Sequence, residues 1–375
     1  MLNFDLKLKR ISYIVNNKCN LYCKHCFQNA RNRHSEELSE SNAFLATKFA
    51  IDNNTSLNKN IEITIIGGEP TLYSDFSKLK SSFEYIFSNN YKIKILRIFT
   101  NGTIYNQSLI DLLSMIPKEN IVFYITKDLL EDKPDRINYE GKSQNNLISK
   151  NINILKSNGF YVVEQYIFTK QNVKYYKDIL NNIYNSDINL SFGYPCEAIN
   201  DLNKENFDFM IDTFLEFIKD KNVDFDFYKR SGMELLFDLI HNDWYTNNVN
   251  KIFCDPIKGE FSISPKGYII PCVKLLEKED YYEELKIENI IKNPDLLYTN
   301  KKVLRVINFI DKNENNYECG KCFMKRYCVD CRLFPTLINT DNEHIEHSNQ
   351  QCNRLITFYD CILNKIKEHN LWQLF

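Results

Sequence analysis

Three cysteines crowd into the segment Cys19-Asn-Leu-Tyr-Cys23-Lys-His-Cys26, directly after the apolar run Ile11 to Val15. A short loop that gathers three thiolates suits an iron-sulfur cluster, and three ligands leave one iron of a 4Fe-4S cubane open to a small chelating ligand. The plain alternative is a zinc knuckle or a set of buried thiols, because short cysteine spacings recur in many metal sites. Two further motifs count against it. The run Ile61 to Ile66 ends in Gly67-Gly68-Glu69-Pro70-Thr71, and the run Ile93 to Phe99 ends in Thr100-Asn101-Gly102. Each is a strand pattern closed by turn chemistry.

The same alternation continues through the first half of the chain. Strands are expected at Ile11–Val15, Ile61–Ile66, Ile93–Phe99, Ile121–Thr126, Tyr161–Thr169 and Leu190–Gly193, with helical patterns such as Leu38–Ile51, Phe76–Phe87 and Ile148–Asn158 between them. Six such units imply an α/β fold with a parallel sheet, and ligands in such sheets sit at the carboxyl ends of the strands. That is where all three motifs fall. An apolar fraction of 43% permits a sizeable core, while a net charge of -2 without a long basic run gives nucleic acid nothing to hold. No export signal and no long uncharged apolar stretch is evident, so a cytoplasmic protein without a membrane partner is expected. In a reducing compartment the twelve cysteines read as metal ligands rather than disulfides.

With these motifs in this order, the chain resembles the radical S-adenosylmethionine (radical SAM) superfamily. The resemblance implies a partial (β/α)6 barrel in which Cys19, Cys23 and Cys26 hold a 4Fe-4S cluster and S-adenosyl-L-methionine chelates its open iron. Reductive cleavage of that ligand would yield a 5'-deoxyadenosyl radical able to take hydrogen from an unactivated carbon. Gly67, Gly68, Glu69 and Pro70 would then clamp the methionine end, the glycines by letting backbone approach the ligand and Glu69 by meeting the ammonium. Thr100 and Asn101 belong to the same strand-end set. His25 stands where relatives carry an aromatic residue against the adenine. Thr126 and Asp128 match a strand-four Ser-x-Asp-Gly position near the ribose, with Leu129 in place of the glycine. Arg136 and Thr169 align with a SAM carboxylate and a ribose contact, and surface or strand-packing roles stand beside those readings.

The second half carries Cys254, Cys272, the group Cys319-x2-Cys322-x5-Cys328-x2-Cys331, and Cys352. This spacing resembles the SPASM domain of peptide and sulfatase maturases, which houses auxiliary 4Fe-4S clusters. Two residues rather than the usual three precede the sixth cysteine. The resemblance implies one cluster on Cys319, Cys322, Cys328 and Cys352, and a second on Cys254, Cys272 and Cys331. That makes three 4Fe-4S clusters in all, one SAM-binding and two auxiliary. A zinc ribbon on Cys319, Cys322, Cys328 and Cys331 is the alternative, and it leaves three cysteines unused. The expected division is a radical SAM barrel over residues 1–230 and a bridging segment with the SPASM domain over 231–375. Cys196 is a candidate cap for the three-ligand cluster, an active-site thiol, or a packing residue; Cys361 has the pattern of a helix-face core thiol. Arg230 and Glu234 are further candidates near the junction.

The SPASM resemblance points to an enzyme that abstracts hydrogen from a ribosomally made peptide and installs a thioether or carbon-carbon crosslink or a related modification. Its expected partners are a peptide or protein substrate and an electron donor such as flavodoxin or ferredoxin. With the first strand starting by Ile11, leader recognition would come from a separate protein or from the barrel and SPASM surfaces. Two alternatives remain: a formylglycine-forming, anaerobic sulfatase-maturase-like enzyme, and a non-catalytic iron-sulfur electron carrier. The maturase reading lacks its extra cysteine before Cys254 and an aspartate in the segment Tyr228 to Leu235. The carrier reading leaves the Gly67-Gly68-Glu69-Pro70 clamp without a purpose.

Overall fold

The computed structural model describes residues 8–23, 26, 30, 36–128, 134, 136–167, 170, 172–185, 189–193, 202–240, 259–271, 273–304 and 349–371. Strands β1 (Arg10–Ile14), β2 (Leu21–Cys23), β3 (Asn60–Ile66), β4 (Lys92–Thr100), β5 (Ile121–Thr126), β6 (Arg136–Asn138), β7 (Tyr161–Ile167), β8 (Asn189–Gly193), β9 (Glu260–Ile263) and β10 (Ile269–Ile270) form two sheets. The large one has the order β10-β9-β1-β3-β4-β5-β7-β8, and every pairing in it is parallel except β9 with β10. All six strands expected from the sequence are present in that sheet, in chain order.

Helices α1 (Glu40–Asp52), α2 (Lys80–Ser88), α3 (Gln107–Leu113), α4 (Asn145–Ser157) and α5 (Tyr176–Tyr184) fill the crossovers. Short polar residues set where they begin: Ser39 accepts from the Asn42 N–H at the start of α1, and Asn106 from the Leu109 N–H at the start of α3. The helical pattern over Phe76–Phe87 divides into a 3-10 turn, Phe76–Leu79, and α2, because Asp75 caps the turn through the Ser77 N–H.

Strand alternation gives the sheet two different faces. Ile11, Tyr13, Ile61, Ile63, Ile65, Leu96, Ile98, Phe123 and Ile125 are buried in one hydrophobic core with the crossover helices, and Tyr13 bonds Thr47 of α1 at 2.7 Å. The opposite face is polar at one end. Arg10 bridges Glu62 and Glu260 at 2.9 Å each, and Arg97 reaches Glu62 at 2.6 Å, so a ladder of alternating charge crosses β9, β1, β3 and β4. Parallel sheets are usually apolar on both faces. Arg10, Glu62 and Glu260 lie near the starts of their strands, and Arg97 lies in the second half of β4.

The β9–β10 hairpin was not expected. It adds to the free edge of β1 in the register Arg10 to Glu260 and Tyr13 to Ile263, so one sheet spans both sides of the division drawn between residues 230 and 231. Strands of four and two residues are too short to show a readable alternation. A second core is helical: α5, α6 (Lys204–Ile218), α7 (Phe225–Arg230), α8 (Glu234–Ile240) and the C-terminal helix Asn349–Glu368 bury Phe207, Phe214, Phe217, Phe227 and Phe358 together. Among the described residues no helix is long and apolar enough to cross a membrane.

Candidate active site at the strand mouth

β1 leads into the cysteine loop, and the end of β3 holds that loop in place. The Gly68 N–H donates to the Asn16 carbonyl at 3.1 Å and the Glu69 N–H to the Lys18 carbonyl at 2.7 Å. A Cβ on Gly68 would lie 2.4 Å from the Lys18 carbonyl oxygen, and one on Gly67 would lie 2.6 Å from that of Asn16. No side chain fits there. The sequence assigned these glycines to ligand approach; in the structure they first allow two backbones to meet, directly before Cys19.

Glu69 is the buried hub of the site. Its side chain caps the 3-10 turn Pro70–Leu72, with Pro70 in the first position. One carboxylate oxygen accepts from the Thr71 N–H at 3.0 Å, the Thr71 hydroxyl at 2.6 Å and the Thr100 hydroxyl at 2.5 Å. The other accepts from the Asn101 N–H at 2.6 Å, which leaves that oxygen room for another donor. Thr100 and Asn101, at the end of β4, therefore meet the Gly-Gly-Glu-Pro turn as their placement at neighbouring strand ends implied.

Cys19 is buried with Leu21 and Ala30, and Cys23 and Cys26 pack against that group. Burial first, and then the Glu69 carboxylate, push the Cys19 thiol up to about 12, while the Leu21 N–H acts the other way. Burial also raises Cys23, against the pull of the Arg136 guanidinium. Such thiols keep their protons until a metal replaces them.

Arg136 reaches the site by a route the sequence did not reveal. β2 and β6 form a two-stranded antiparallel ribbon that sets Cys23 opposite Arg136. Asp128 anchors the ribbon by accepting from the Arg136 N–H at 3.0 Å, and the Tyr139 hydroxyl donates to the Cys19 carbonyl at 2.7 Å. The Arg136 side chain is buried, and its Nε has no partner among the described residues. A buried unpaired guanidinium nitrogen is costly unless an acceptor arrives. The residues therefore fit a cluster carrying an amino-acid ligand: thiols at one side, a cation for a carboxylate, and a carboxylate oxygen for an ammonium. Among the described residues no three His, Cys, Asp or Glu side chains close around a single ion, so this fit rests on the buried loop and on Arg136.

Thr126 ends β5 in register with Gln165 of β7, and both are half-buried. Arg230 is drawn into the helical layer, 2.7 Å from Asp226 and 3.3 Å from the Ile183 carbonyl, and Glu234 starts α8 there. His25, Thr169, Cys196, Cys254, Cys272, Cys319, Cys322, Cys328 and Cys331 lie outside the described residues, as does the side chain of Cys352. Sequence reasoning missed Asn16, which donates to the Glu69 carbonyl at 2.8 Å and whose side-chain oxygen is buried without a partner among the described residues. It also missed Asn20, Thr103 and Tyr139. Asn16 and Asn20 flank the cysteine motif closely enough to have been suspected; nothing local marks Tyr139.

Comparison with known proteins bears directly on this site. The profile of the Radical SAM superfamily matches residues 13–183. These residues are a radical SAM domain. Over that span the chain is similar to a superfamily of enzymes. The radical SAM cyclopropyl synthase TigE of Paramaledivibacter caminithermalis is 23% identical over 285 residues, 71% of this chain and 57% of that protein. An uncharacterised protein of Methanocaldococcus jannaschii is 31% identical over 103 residues, 27% of this chain and 33% of the relative. The chain thus spans little more than half the length of the longer-matching curated relative. Among solved structures, anSMEcpe with bound AdoMet superposes with a TM-score of 0.68 at 17% identity, covering 96% of this chain and 94% of that one. Streptococcus suis SuiB bound to precursor peptide SuiA gives 0.55 at 17%, covering 92% and 75%. These two likenesses establish the fold.

Proposed function

We propose that the chain is a radical SAM peptide maturase, which takes hydrogen from a ribosomally made peptide and installs a thioether or carbon-carbon crosslink or a related modification. The observation that carries the cofactor part is Arg136, a buried cation with an unpartnered nitrogen facing Cys23 across the ribbon. Cys19, Cys23 and Cys26 hold the cluster, Arg136 takes the carboxylate of SAM, and the less occupied oxygen of Glu69 takes its ammonium. By the family resemblance His25 would serve the adenine, and Thr126, Asp128 and Thr169 the ribose. When bound, the cofactor supplies a 5'-deoxyadenosyl radical for hydrogen abstraction, with one electron drawn from a flavodoxin or ferredoxin.

The peptide part is supported by the cysteine pattern from Cys254 to Cys352, read as a SPASM domain with two auxiliary clusters over a cytoplasmic enzyme's second half. It is supported also by what the relatives are: one is named a cyclopropyl synthase, and solved relatives include anSMEcpe with the Cp18Cys peptide and SuiB with its precursor peptide.

Arg136→Gln tests the cofactor part. Losing a charge-assisted bond to a carboxylate costs about 1.5–3 kcal/mol, about tenfold or more in affinity. Equilibrium binding of SAM to anaerobically reconstituted protein should weaken by that factor while iron content holds; unchanged affinity would remove Arg136 from the site. For the substrate, reconstituted protein with SAM and dithionite is incubated with the short peptides encoded beside its gene. A peptide that loses two hydrogens by mass supports a crosslink, and 5'-deoxyadenosine formation with every such peptide unaltered sinks the peptide reading.

A further inference from the structure

Asn101 is 4% exposed, and the orientation of its amide is determined by its neighbours. Its Oδ1 accepts from the Thr103 N–H at 2.9 Å and from the Thr103 hydroxyl at 2.7 Å. The nitrogen must therefore point the other way. There Nδ2 donates to Asn20 Oδ1 at 2.8 Å, and Asn20 in turn donates through its own Nδ2 to the Thr103 hydroxyl at 2.8 Å. The ring closes with each donor and acceptor used once: the hydroxyl gives its hydrogen to Asn101 and accepts from Asn20. Nδ2 of Asn101 carries two hydrogens, and Asn20 takes one. The second is left with Cys19 Sγ, 3.8 Å away, within reach for a sulfur acceptor. Cys19 Sγ also accepts the Leu21 N–H at 3.4 Å.

We propose that Asn101 is a positioning residue for the cluster, holding an N–H toward Cys19 Sγ and thereby raising the cluster's reduction potential. This rests on the cluster reading of Cys19, Cys23 and Cys26. Reduction adds one electron from an external donor, with no bond made or broken. The added negative charge spreads onto the ligating sulfurs, and an N–H aimed at one of them stabilises the reduced form more than the oxidised one. Thr103 and Asn20 act one step further out, by keeping the amide from turning over. Asn101 also connects two parts of the site, because its backbone N–H is the donor on the less occupied oxygen of Glu69. Its side chain is thus assigned to the cysteine loop and its backbone to the clamp.

The test is a redox titration of the reconstituted full chain, followed by the electron paramagnetic resonance signal that changes when SAM is added. Wild type is compared with Asn101→Asp, which keeps the shape, removes the donor and adds a negative charge, and with Asn101→Leu, which removes the donor without adding a charge. Iron content is measured for each. The expected result is a midpoint shifted to more negative potential in both variants, further in Asn101→Asp, with iron content unchanged. An unmoved midpoint in Asn101→Asp, with iron and the SAM-responsive signal retained, overturns the proposal. Should Asn101→Asp fail to hold iron, Asn101→Leu decides alone: a negative shift supports the proposal and an unmoved midpoint overturns it. If wild type itself shows no SAM-responsive signal, the cluster reading has failed instead.

Discussion

Two buried thiols, in two regions of the molecule, share one electrostatic property and differ in everything else. Cys19 at the strand mouth and Cys361 in the C-terminal helix are both pushed up to about 12, and burial is the leading cause in each. Cys361 is fully buried in the helical core, where Sγ meets the Lys204 carbonyl at 3.9 Å and Phe207, Phe214 and Phe358 belong to the same apolar cluster. Cys19 sits among donors, with two N–H groups near its sulfur, a hydroxyl on its carbonyl, and two further cysteines beside it. Desolvation alone therefore does not mark a functional cysteine. The N–H donors aimed at the sulfur do, and of these two cysteines it is Cys19 that has them among the described residues.

The largest effect expected from that contrast is on SAM cleavage. Cys19→Ala should abolish 5'-deoxyadenosine formation under dithionite, and Cys361→Ala should leave it near the parent rate. Loss of cleavage in Cys361→Ala with iron content intact would break the comparison. A large effect of the opposite kind is expected in the helical core. Phe214 is fully buried, 4.9 Å from Tyr228 and 5.9 Å from Phe227 by ring centroids, so Phe214→Ala should cost about 3–5 kcal/mol of stability. Cleavage per folded molecule should hold at a temperature where the variant stays folded. Urea unfolding and the cleavage assay together check this; a stable variant that no longer cleaves SAM would tie the helical core to the site.

The same contrast explains what the sequence could reveal. Ile11–Val15, Ile61–Ile66 and Ile93–Phe99 are runs rich in β-branched and aromatic residues, and each motif follows its strand at once or within a few residues, so both the strand and its functional end are local features. The meeting of Glu69 with Thr100 and Asn101 followed from neighbouring strand ends. The ribbon that sets Arg136 opposite Cys23 did not follow, because three-residue strands carry no period and their register is decided by pairing. The β9–β10 hairpin escaped notice for the same reason. The aromatic helical core carried no motif to read, and Arg230, a candidate from the sequence, has its guanidinium taken up by Asp226 and a helix carbonyl.

The smallest effect separates the two regions by pH. Burial alone would raise the Glu62 carboxyl, but hydrogen bonds from Arg97 and Arg10 outweigh it and hold the group below the usual carboxylate range. A carboxyl lowered in the folded state contributes stability that is present above its unfolded value and lost as pH falls through the folded one. Glu62→Gln removes that contribution. At neutral pH the variant should be less stable than wild type by about 1.5–3 kcal/mol, the scale of hydrogen bonds to a charged group. The gap should narrow on acidification below the ordinary Glu range, because wild type then loses what the variant never had. Phe214→Ala, which removes only apolar contact, should keep the same deficit at every pH. Comparing each variant with wild type at matched pH cancels any acid loss of iron common to all three. A Glu62→Gln deficit that stays flat with pH would mean that the charged ladder holds β9, β1, β3 and β4 together by packing alone, and that the polar face of the sheet differs from the helical core in composition but not in the physics of its stability.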